Sequence, residues 1–268
     1  MNLFVMTGQF NYIGGVERGS AVNTLTQVAP EATTTTELAI EATALQLDGR
    51  RGRIFGPVDL AIEPGTLNLI TGRAGSGKTS LLLTLVGRMK PNRGSTLTVL
   101  GRRLPARAAG VQHRSAAVGI HGLDDLDEEV TVGATVRERE AWLAPWYKIV
   151  RTPDDRRIAE ICAPVFGDAP APRAKQFVHE LDEADNLLLR IALALLSEPE
   201  LLVIDDIDAL HDTDSRRRVW EALHGLTDSG LTILVSAAGA GELSRLGWAV
   251  LPTHVRLPDP PAHPRARH

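Results

Sequence analysis

Short, mostly apolar runs of strand length alternate with longer segments of helical length along most of the chain. Residues 67–71 and 201–204 are runs of the first kind, and residues 184–197 form a strongly apolar helical segment. Strands buried in a parallel sheet read as nearly continuous apolar runs, because both of their faces are covered. The alternation therefore predicts an α/β fold with a mainly parallel core sheet and helices on both faces.

The remaining elements follow from the same pattern. A glycine-rich loop is predicted at 72–77, and it is followed by a helix over 78–88. Further strands are predicted over five short segments, namely 37–47, 58–63, 96–100, 116–120 and 231–235. Residues from about 122 to 183 are richer in charge, proline and tryptophan, and this change of composition predicts a helical insertion.

The two ends of the chain differ from the middle. Residues 1–36 carry a glycine pair, a Gly-Ser dipeptide and a run of four threonines without sustained periodicity, which predicts a disordered leader. Residues 252–268 are rich in proline among arginine and histidine, and they predict an extended tail. The folded domain is therefore expected over residues 37–251.

Composition excludes several classes of protein. The 268 residues carry a net charge of −4, so no overall basic field recruits nucleic acid. Cys162 is the single cysteine, and we expect it to be a small core residue in a reducing compartment. No apolar run approaches the roughly 20 residues that a membrane-spanning helix needs, and the first residues do not resemble a secretory signal. We therefore expect a cytoplasmic protein.

Residues 72–79 match the phosphate-binding pattern G-x-x-x-x-G-K-[ST]. Its glycines let the backbone curl so that successive N–H groups point at phosphate oxygens, and the following helix adds its positive N-terminal end. Lys78 is expected to reach the β- and γ-phosphates, and the Thr79 hydroxyl to ligate Mg²⁺. The predicted nucleotide-binding residues of this segment are Gly72, Arg73, Ala74, Gly75, Ser76, Gly77, Lys78, Thr79 and Ser80.

A second motif completes the predicted site. Residues 201–204 are four apolar residues of a central strand, and Asp205 follows directly at its C-terminal end. A carboxylate in this position can hold Mg²⁺ through water beside a phosphate loop. Asp205 and Thr79 are therefore the predicted metal residues, and the predicted ligands are ATP and Mg²⁺.

With these motifs in order, residues 38–251 resemble the ATP-binding cassette (ABC) ATPase domains. Residues 89–94 and 99–101 resemble the "P-x-x-G" and "V-x-G" turns of that family, and residues 130–132 its "L-T-V". Residues 192–199 are similar to the run "A-R-A-L-L-x-x-P" before its acidic strand. The resemblance implies a P-loop NTPase fold with a mainly parallel core sheet, a small antiparallel β subdomain and a helical insertion.

The signature segment of that family, L-S-G-G-Q, aligns with residues 181–185, which read Leu-Asp-Glu-Ala-Asp. In the family this segment faces the γ-phosphate bound by the other subunit, where three acids would repel a triphosphate. A structural alternative is that Asp182 caps the helix that follows, with acids in its first turn. The letters also spell the DEAD motif of RNA helicases, but no buried apolar strand precedes them.

Three further positions depart from the family's hydrolytic pattern, and a fourth departs at the adenine contact. Asp206 stands at the position of the catalytic glutamate, with its carboxyl one methylene further back. Ala237 replaces the switch histidine. His121 aligns with the loop glutamine, either as a hydrogen-bond donor or as a surface histidine. Arg51 aligns near the aromatic residue that stacks on adenine, where a guanidinium can also stack, although an exposed arginine is the simpler interpretation. The predicted catalytic residues are therefore Asp206 and His121.

The resemblance implies the ATP-binding subunit of an ABC transporter, peripheral on the inner face of the cell membrane. Its partners would be a separately encoded transmembrane permease and a second ABC ATPase, in a homodimer or a heterodimer. Trp142, Trp146 and Tyr147 lie together in the predicted insertion, either as a permease anchor or as core residues. A nucleotide-dependent switch or scaffold with little turnover is the alternative function, and whether ATP is hydrolysed stays open. An ABC-type protein of translation or DNA repair is a third class, which usually carries two cassettes or a long coiled coil.

Overall fold

The structure is a computed structural model that describes residues 37–258, apart from residues 51, 242, 244–247, 249 and 250. The predicted leader and the last ten residues lie outside the described residues. The described elements run in the order β1 (Ile40–Gly49), β2 (Gly52–Ile62), β3 (Leu67–Thr71), α1 (Lys78–Leu85), β4 (Thr96–Val99), β5 (Arg102–Arg103), α2 (Ala108–Gln112), β6 (Ser115–Val118), α3 (Val132–Leu143), α4 (Asp155–Phe166), a 3₁₀ turn (Val178–Glu180), α5 (Glu183–Leu195), β7 (Leu201–Ile204), a 3₁₀ turn (Ile207–Ala209), α6 (Thr213–Thr227), β8 (Thr232–Ala237) and β9 (Thr253–Arg256).

The main sheet consists of parallel strands in the order β6-β7-β8-β3-β9. This confirms the predicted mainly parallel core sheet. Because the strands are parallel, their carboxyl ends meet at one edge of the sheet. The end of β3, which leads into the phosphate loop, and the end of β7, which leads into Asp205, therefore lie at the same edge.

The main sheet has a hydrophobic core on each face. Alternate residues of a strand point to opposite faces, and β7 shows this directly. Leu202 and Ile204 belong to the core formed with the helices α3 to α6. Leu201 and Val203 belong to the second core, which β1, β2 and α1 complete. This double burial explains why the strand reads as a continuous apolar run.

The small antiparallel subdomain is also present, as a sheet in the order β2-β1-β4-β5. Strand β2 is longer than the predicted segment 58–63, and β1 ends two residues beyond the predicted segment 37–47, because the polar ends of the two strands pair as well. Asp48 lies opposite Arg53, and the Arg53 Nε donates to the Asp48 carboxylate over 3.0 Å. A cross-strand pair of opposite charges stabilises such a strand end.

The segment predicted as a proline-rich tail begins with a strand of the main sheet. Residues 253–256 form β9, which pairs in parallel with β3. The Leu257 N–H then donates to the Thr71 carbonyl over 2.7 Å, and the Leu257 side chain is buried. The prediction that the tail begins at 252 was wrong for these residues, because their pairing partner lies far away in the sequence.

Helices α3 and α4 lie in the segment where the sequence predicts an insertion. The Cys162 side chain on α4 is buried, and desolvation raises the pKa of its thiol to about 12. A thiol of this kind stays protonated and acts as a core residue, as expected. Within the described ranges, no helix has the length and apolar character needed to cross a bilayer.

Candidate nucleotide-binding site

The loop 72–77 joins β3 to α1, in the context that the motif requires. Gly77 has a φ of 88°, and a side chain there would place its Cβ 2.6 Å from the Ile54 carbonyl oxygen. Only glycine fits this position. Helix α1 begins at Lys78, and no side chain caps its N-terminus. The uncapped N–H groups of its first turn are therefore oriented to bind an anion.

The Lys78 side chain turns towards the backbone of the loop, whereas the Ser76 hydroxyl makes no hydrogen bond with the described residues. The Lys78 ammonium donates to the Gly72 carbonyl over 2.9 Å and to the Arg73 carbonyl over 3.4 Å. The Ser76 hydroxyl is buried and has no hydrogen-bond partner among the described residues. A buried hydroxyl without a partner costs free energy. A phosphate group seated in the loop would satisfy both the ammonium and the hydroxyl.

The two predicted metal residues contact each other directly. The Thr79 hydroxyl donates to the Asp205 carboxylate over 2.5 Å, although 126 residues separate the two residues in the sequence. Asp205 is only 8% exposed. A hydroxyl and a carboxylate are hard oxygen ligands of the kind that Mg²⁺ prefers. No group of three or more acidic, histidine or cysteine side chains suited to a metal occurs in the described part of the chain, so the remaining Mg²⁺ ligands would come from phosphate and water.

Ser236 belongs to the site as well, and the motifs do not predict it. Strand register pairs Ile204 with Val235, so the next residues along the two strands, Asp205 and Ser236, are neighbours. The buried Ser236 hydroxyl donates to the second oxygen of the Asp205 carboxylate. It also accepts a hydrogen bond of 2.9 Å from the Asp206 N–H. Ser236 thus fixes the orientation of the aspartate from the neighbouring strand.

Asp206 lies at the turn after β7, in a left-handed conformation with φ 51° and ψ 60°. Partial desolvation of its carboxyl group raises the pKa of Asp206, and the nearby Asp205 and Asp208 raise it further, while Lys78 acts in the opposite direction. A raised carboxyl pKa is the direction that a general base needs. The residue is exposed at the edge where the phosphate loop begins.

The last residue of β8 and the turn after it offer no side-chain donor. Ala237 is buried and ends the strand, and the N–H of the next residue, Ala238, donates to the Asp208 carboxylate. This backbone contact holds the turn after β8 against the turn after β7. The described side chains of residues 237–240, three alanines and a glycine, carry no group that can bind a phosphate.

The acidic segment 182–185 makes its contacts within the chain. Asp182 caps α5, where its side chain accepts a hydrogen bond of 2.7 Å from the Asp185 N–H, so the predicted helix cap is confirmed. The Asp185 carboxylate lies 2.7 Å from Arg218. Glu183 accepts hydrogen bonds from the backbone N–H of His211 over 2.9 Å and pairs with its ring over 3.0 Å, and these bonds lower the pKa of Glu183.

His121 lies in the loop after β6, and its side chain is fully exposed. Its Nδ1 lies 3.2 Å from the Asp125 carboxylate. No contact joins it to Thr79 or Asp205 among the described residues, so the role of His121 stays a prediction. Arg51, the predicted adenine contact, lies outside the described residues.

Asp124 organises the loop after β6, and sequence reasoning missed it. Its carboxylate accepts hydrogen bonds of 2.9 Å from the N–H groups of Gly119 and Ile120. It also forms an ion pair of 2.8 Å with Arg190 on α5, and both side chains are largely buried. The spacing of five residues from Gly119, which has a φ of 79°, is the only local signal for this turn.

An exposed apolar surface lies at the end of α3 and in the loop after it. It consists of Trp142, Trp146, Tyr147 and Ile149, which we call the aromatic patch. Trp146 is 96% exposed and Ile149 is 89% exposed. Trp142 also lines a groove of about 740 Å³ that reaches Asp124 and Arg190. The interpretation of these aromatic residues as core was therefore wrong.

Together, a parallel sheet, a phosphate loop after β3 and an aspartate after β7 define the class of P-loop nucleotide-binding proteins. Comparison with known proteins identifies the family within this class. The family described as "ABC transporter" matches residues 55–209, more than half of the chain. The chain therefore belongs to the ABC transporter family, as the sequence resemblance predicts.

Individual relatives and solved structures also match the chain. The chain is 30% identical over 191 residues to a Nod factor export ATP-binding protein I of Cupriavidus metallidurans, a match covering 70% of this chain and 59% of the relative. The chain thus spans about three fifths of that relative's length. Its fold matches cbiO1 of Clostridium perfringens, part of the ABC transporter complex cbiONQ, with a TM-score of 0.61, 18% identity, and 75% and 79% of the two chains covered. A dimeric bacterial ABC transporter cassette, MJ0796, matches with a TM-score of 0.59 at 17% identity, over 78% of this chain and 91% of that one.

Proposed function

We propose that the chain is the ATP-binding subunit of an ABC transporter, and that it binds ATP with Mg²⁺ and drives a separately encoded permease. The observation that carries this proposal is the contact between Thr79 at the start of α1 and Asp205 at the end of β7. It brings the hydroxyl and the carboxylate expected around Mg²⁺ to one point beside the phosphate loop.

In this proposal the backbone N–H groups of residues 73–79 and the Lys78 ammonium hold the phosphates. Thr79 ligates Mg²⁺ directly, and Asp205, oriented by Ser236, holds it through water. Bound Mg²⁺ supplies positive charge that offsets the phosphate oxygens. Arg51 is proposed to stack on the base, since a guanidinium can lie flat on an aromatic ring.

The permease is proposed to contact the aromatic patch and the adjoining groove. Large apolar side chains that are almost fully exposed mark an interaction surface, since water contact with them is unfavourable. Aromatic residues are also enriched at the centre of protein interfaces. This contact would place the chain on the inner face of the cell membrane, in the cytoplasm.

We further propose that hydrolysis is slow. Asp206 carries the carboxyl of the catalytic position on a shorter side chain, and Ala237 has no donor for the γ-phosphate. In a homodimer, Asp182 and Glu183 would add negative charge near the phosphate bound by the other copy. A heterodimer with a second cassette avoids half of this repulsion. The family match and the related ATP-binding proteins support the transporter subunit over the alternative of a free-standing switch or scaffold.

The test has a binding arm and a partner arm. Titration with Mg²⁺–ATP should show binding by the purified chain. For the partner arm, the tagged chain is expressed in its native cells and purified in mild detergent, where it should retain a membrane protein with several spans. The variant Trp146→Ser with Ile149→Ser should lose that protein, whereas Leu251→Ser, at another exposed apolar residue, should retain it. A chain that binds ATP but retains no membrane protein would favour the switch or scaffold.

A further inference from the structure

A basic cleft of about 560 Å³ opens beside the phosphate loop. Three segments bound it: the start of the loop at Gly72 and Arg73, the residues 238–240 after β8, and the end of β9 with His254 and Arg256. The carboxyl ends of β8, β3 and β9 are neighbours in the sheet. The cleft therefore adjoins both the first residues of the phosphate loop and the turn that follows Ala237.

Among the described residues, the ionisable side chains that line this cleft are all basic. Arg73, His254 and Arg256 line it, and none of the described lining residues is acidic. Within the part of the chain that the structure describes, the Arg256 guanidinium has no hydrogen-bond or ion-pair partner. A guanidinium presents a fork of N–H donors that matches a phosphate group, so a cleft of this kind favours phosphate over a neutral ligand.

Arg256 is held in place by the strand that carries it. Register pairs Arg256 with Thr71, the last residue before the loop. On the C-terminal side, Leu257 donates to the Thr71 carbonyl and is buried. On the N-terminal side, the His254 Nε2 lies 2.5 Å from the Thr71 hydroxyl. The backbone of Arg256 is thus fixed next to the loop, while its long side chain stays exposed and able to reach a ligand.

We propose that this cleft binds a terminal phosphate group through Arg256, with Arg73 as the second cation. The phosphate is the γ-phosphate of bound ATP or a free phosphate beside bound ADP. This inference rests on the proposed function, since it assumes a nucleotide in the phosphate loop. Ala237 leaves the turn after β8 without a side-chain donor, and Arg256 supplies positive charge from the neighbouring strand end instead.

The experiment compares affinities for Mg²⁺–ATP, for Mg²⁺–ADP, and for inorganic phosphate in the presence of saturating ADP. Wild type is measured beside Arg256→Gln, Arg256→Lys and the control Arg103→Gln, which removes an exposed arginine from β5 in the antiparallel sheet. Arg256→Gln should weaken ATP binding about tenfold, as expected for one charge-assisted hydrogen bond, and should change ADP binding less than twofold. Arg256→Lys should give an intermediate ATP affinity, and Arg103→Gln should match wild type.

If Arg256→Gln weakens the binding of ATP alone, the cleft is assigned to the γ-phosphate. If it weakens the binding of inorganic phosphate alone, the cleft is assigned to free phosphate. Equal changes for ATP and ADP, or no change for any of the three ligands, would overturn the inference while leaving the proposed function intact. A wild-type chain that binds neither nucleotide would instead overturn the proposed function, and the inference would fall with it. A thermal melt of each variant checks that the fold is retained.

Discussion

The substitution Lys78→Ala tests the phosphate loop most directly. The Lys78 ammonium donates to two backbone carbonyls of the loop, at 2.9 and 3.4 Å, so the charge lies at the loop that is proposed to bind the phosphates. Each charge-assisted hydrogen bond contributes about 1.5–3 kcal/mol. Loss of two such bonds to the β- and γ-phosphates would cost about 3–6 kcal/mol, which corresponds to a loss of affinity of at least about a hundredfold.

The assay is a titration of the folded variant with Mg²⁺–ATP, followed by fluorescence or calorimetry. Lys90→Ala is the matched control, because it removes one exposed lysine outside the loop and changes the net charge equally. The fold should survive in both variants, since Lys78 is not part of either hydrophobic core. An affinity of Lys78→Ala within threefold of wild type, with an intact melting transition, would refute the assignment of the phosphate loop.

The remaining predictions concern the metal, the reaction and the turn after β6. Asp205→Asn should weaken nucleotide binding in the presence of Mg²⁺ more than in EDTA, because it removes the carboxylate that faces Thr79; equal effects under the two conditions would make Asp205 a turn residue only. Ala237→His combined with Asp206→Glu should raise a slow rate of phosphate release by at least about tenfold, because one electrostatic donor is typically worth about a hundredfold in rate; a variant no faster than wild type would contradict this. Asp124→Ala should lower the free energy of unfolding by about 3 kcal/mol, measured in urea, because it removes the closer of the two carboxylates that pair with the largely buried Arg190 and the acceptor of two loop N–H groups; a loss below about 1 kcal/mol would contradict that role.

The local parts of the fold and of the site are predictable from sequence. The phosphate loop is predictable because the residues that specify it are adjacent in the chain. One of them, Gly77, has to be glycine, since its positive φ and the nearby Ile54 carbonyl exclude other residues. The strand before Asp205 can be predicted equally well, since burial on both faces requires an unbroken apolar run. The cap at Asp182 follows from helix-start chemistry alone.

The parts that escape prediction depend on residues distant in sequence. Strand β9 has no apolar periodicity of its own, and it exists because the exposed edge of β3 offers hydrogen bonds. Ser236 reads as one more residue of a buried strand until the register with β7 places it against Asp205. The Asp124–Arg190 ion pair joins residues 66 positions apart. The intrinsic preference of a residue for helix or strand contains no information about such contacts.

The residues proposed to hold a nucleotide differ from the residues proposed to hydrolyse it. The loop, Thr79, Asp205 and Ser236 are joined by backbone geometry and hydrogen bonds, whereas Asp206 and Ala237 depart from the hydrolytic pattern. If hydrolysis is slow, as we propose, such a protein would respond to the identity of the bound nucleotide more than to nucleotide turnover. A ligand shifts a conformational equilibrium only by its difference in affinity for the two states. If Arg256 distinguishes ATP from ADP tenfold in one state alone, the exchange of nucleotides shifts that equilibrium by about 1.4 kcal/mol. That is enough to change a balanced population to about ten to one without any hydrolysis in this chain.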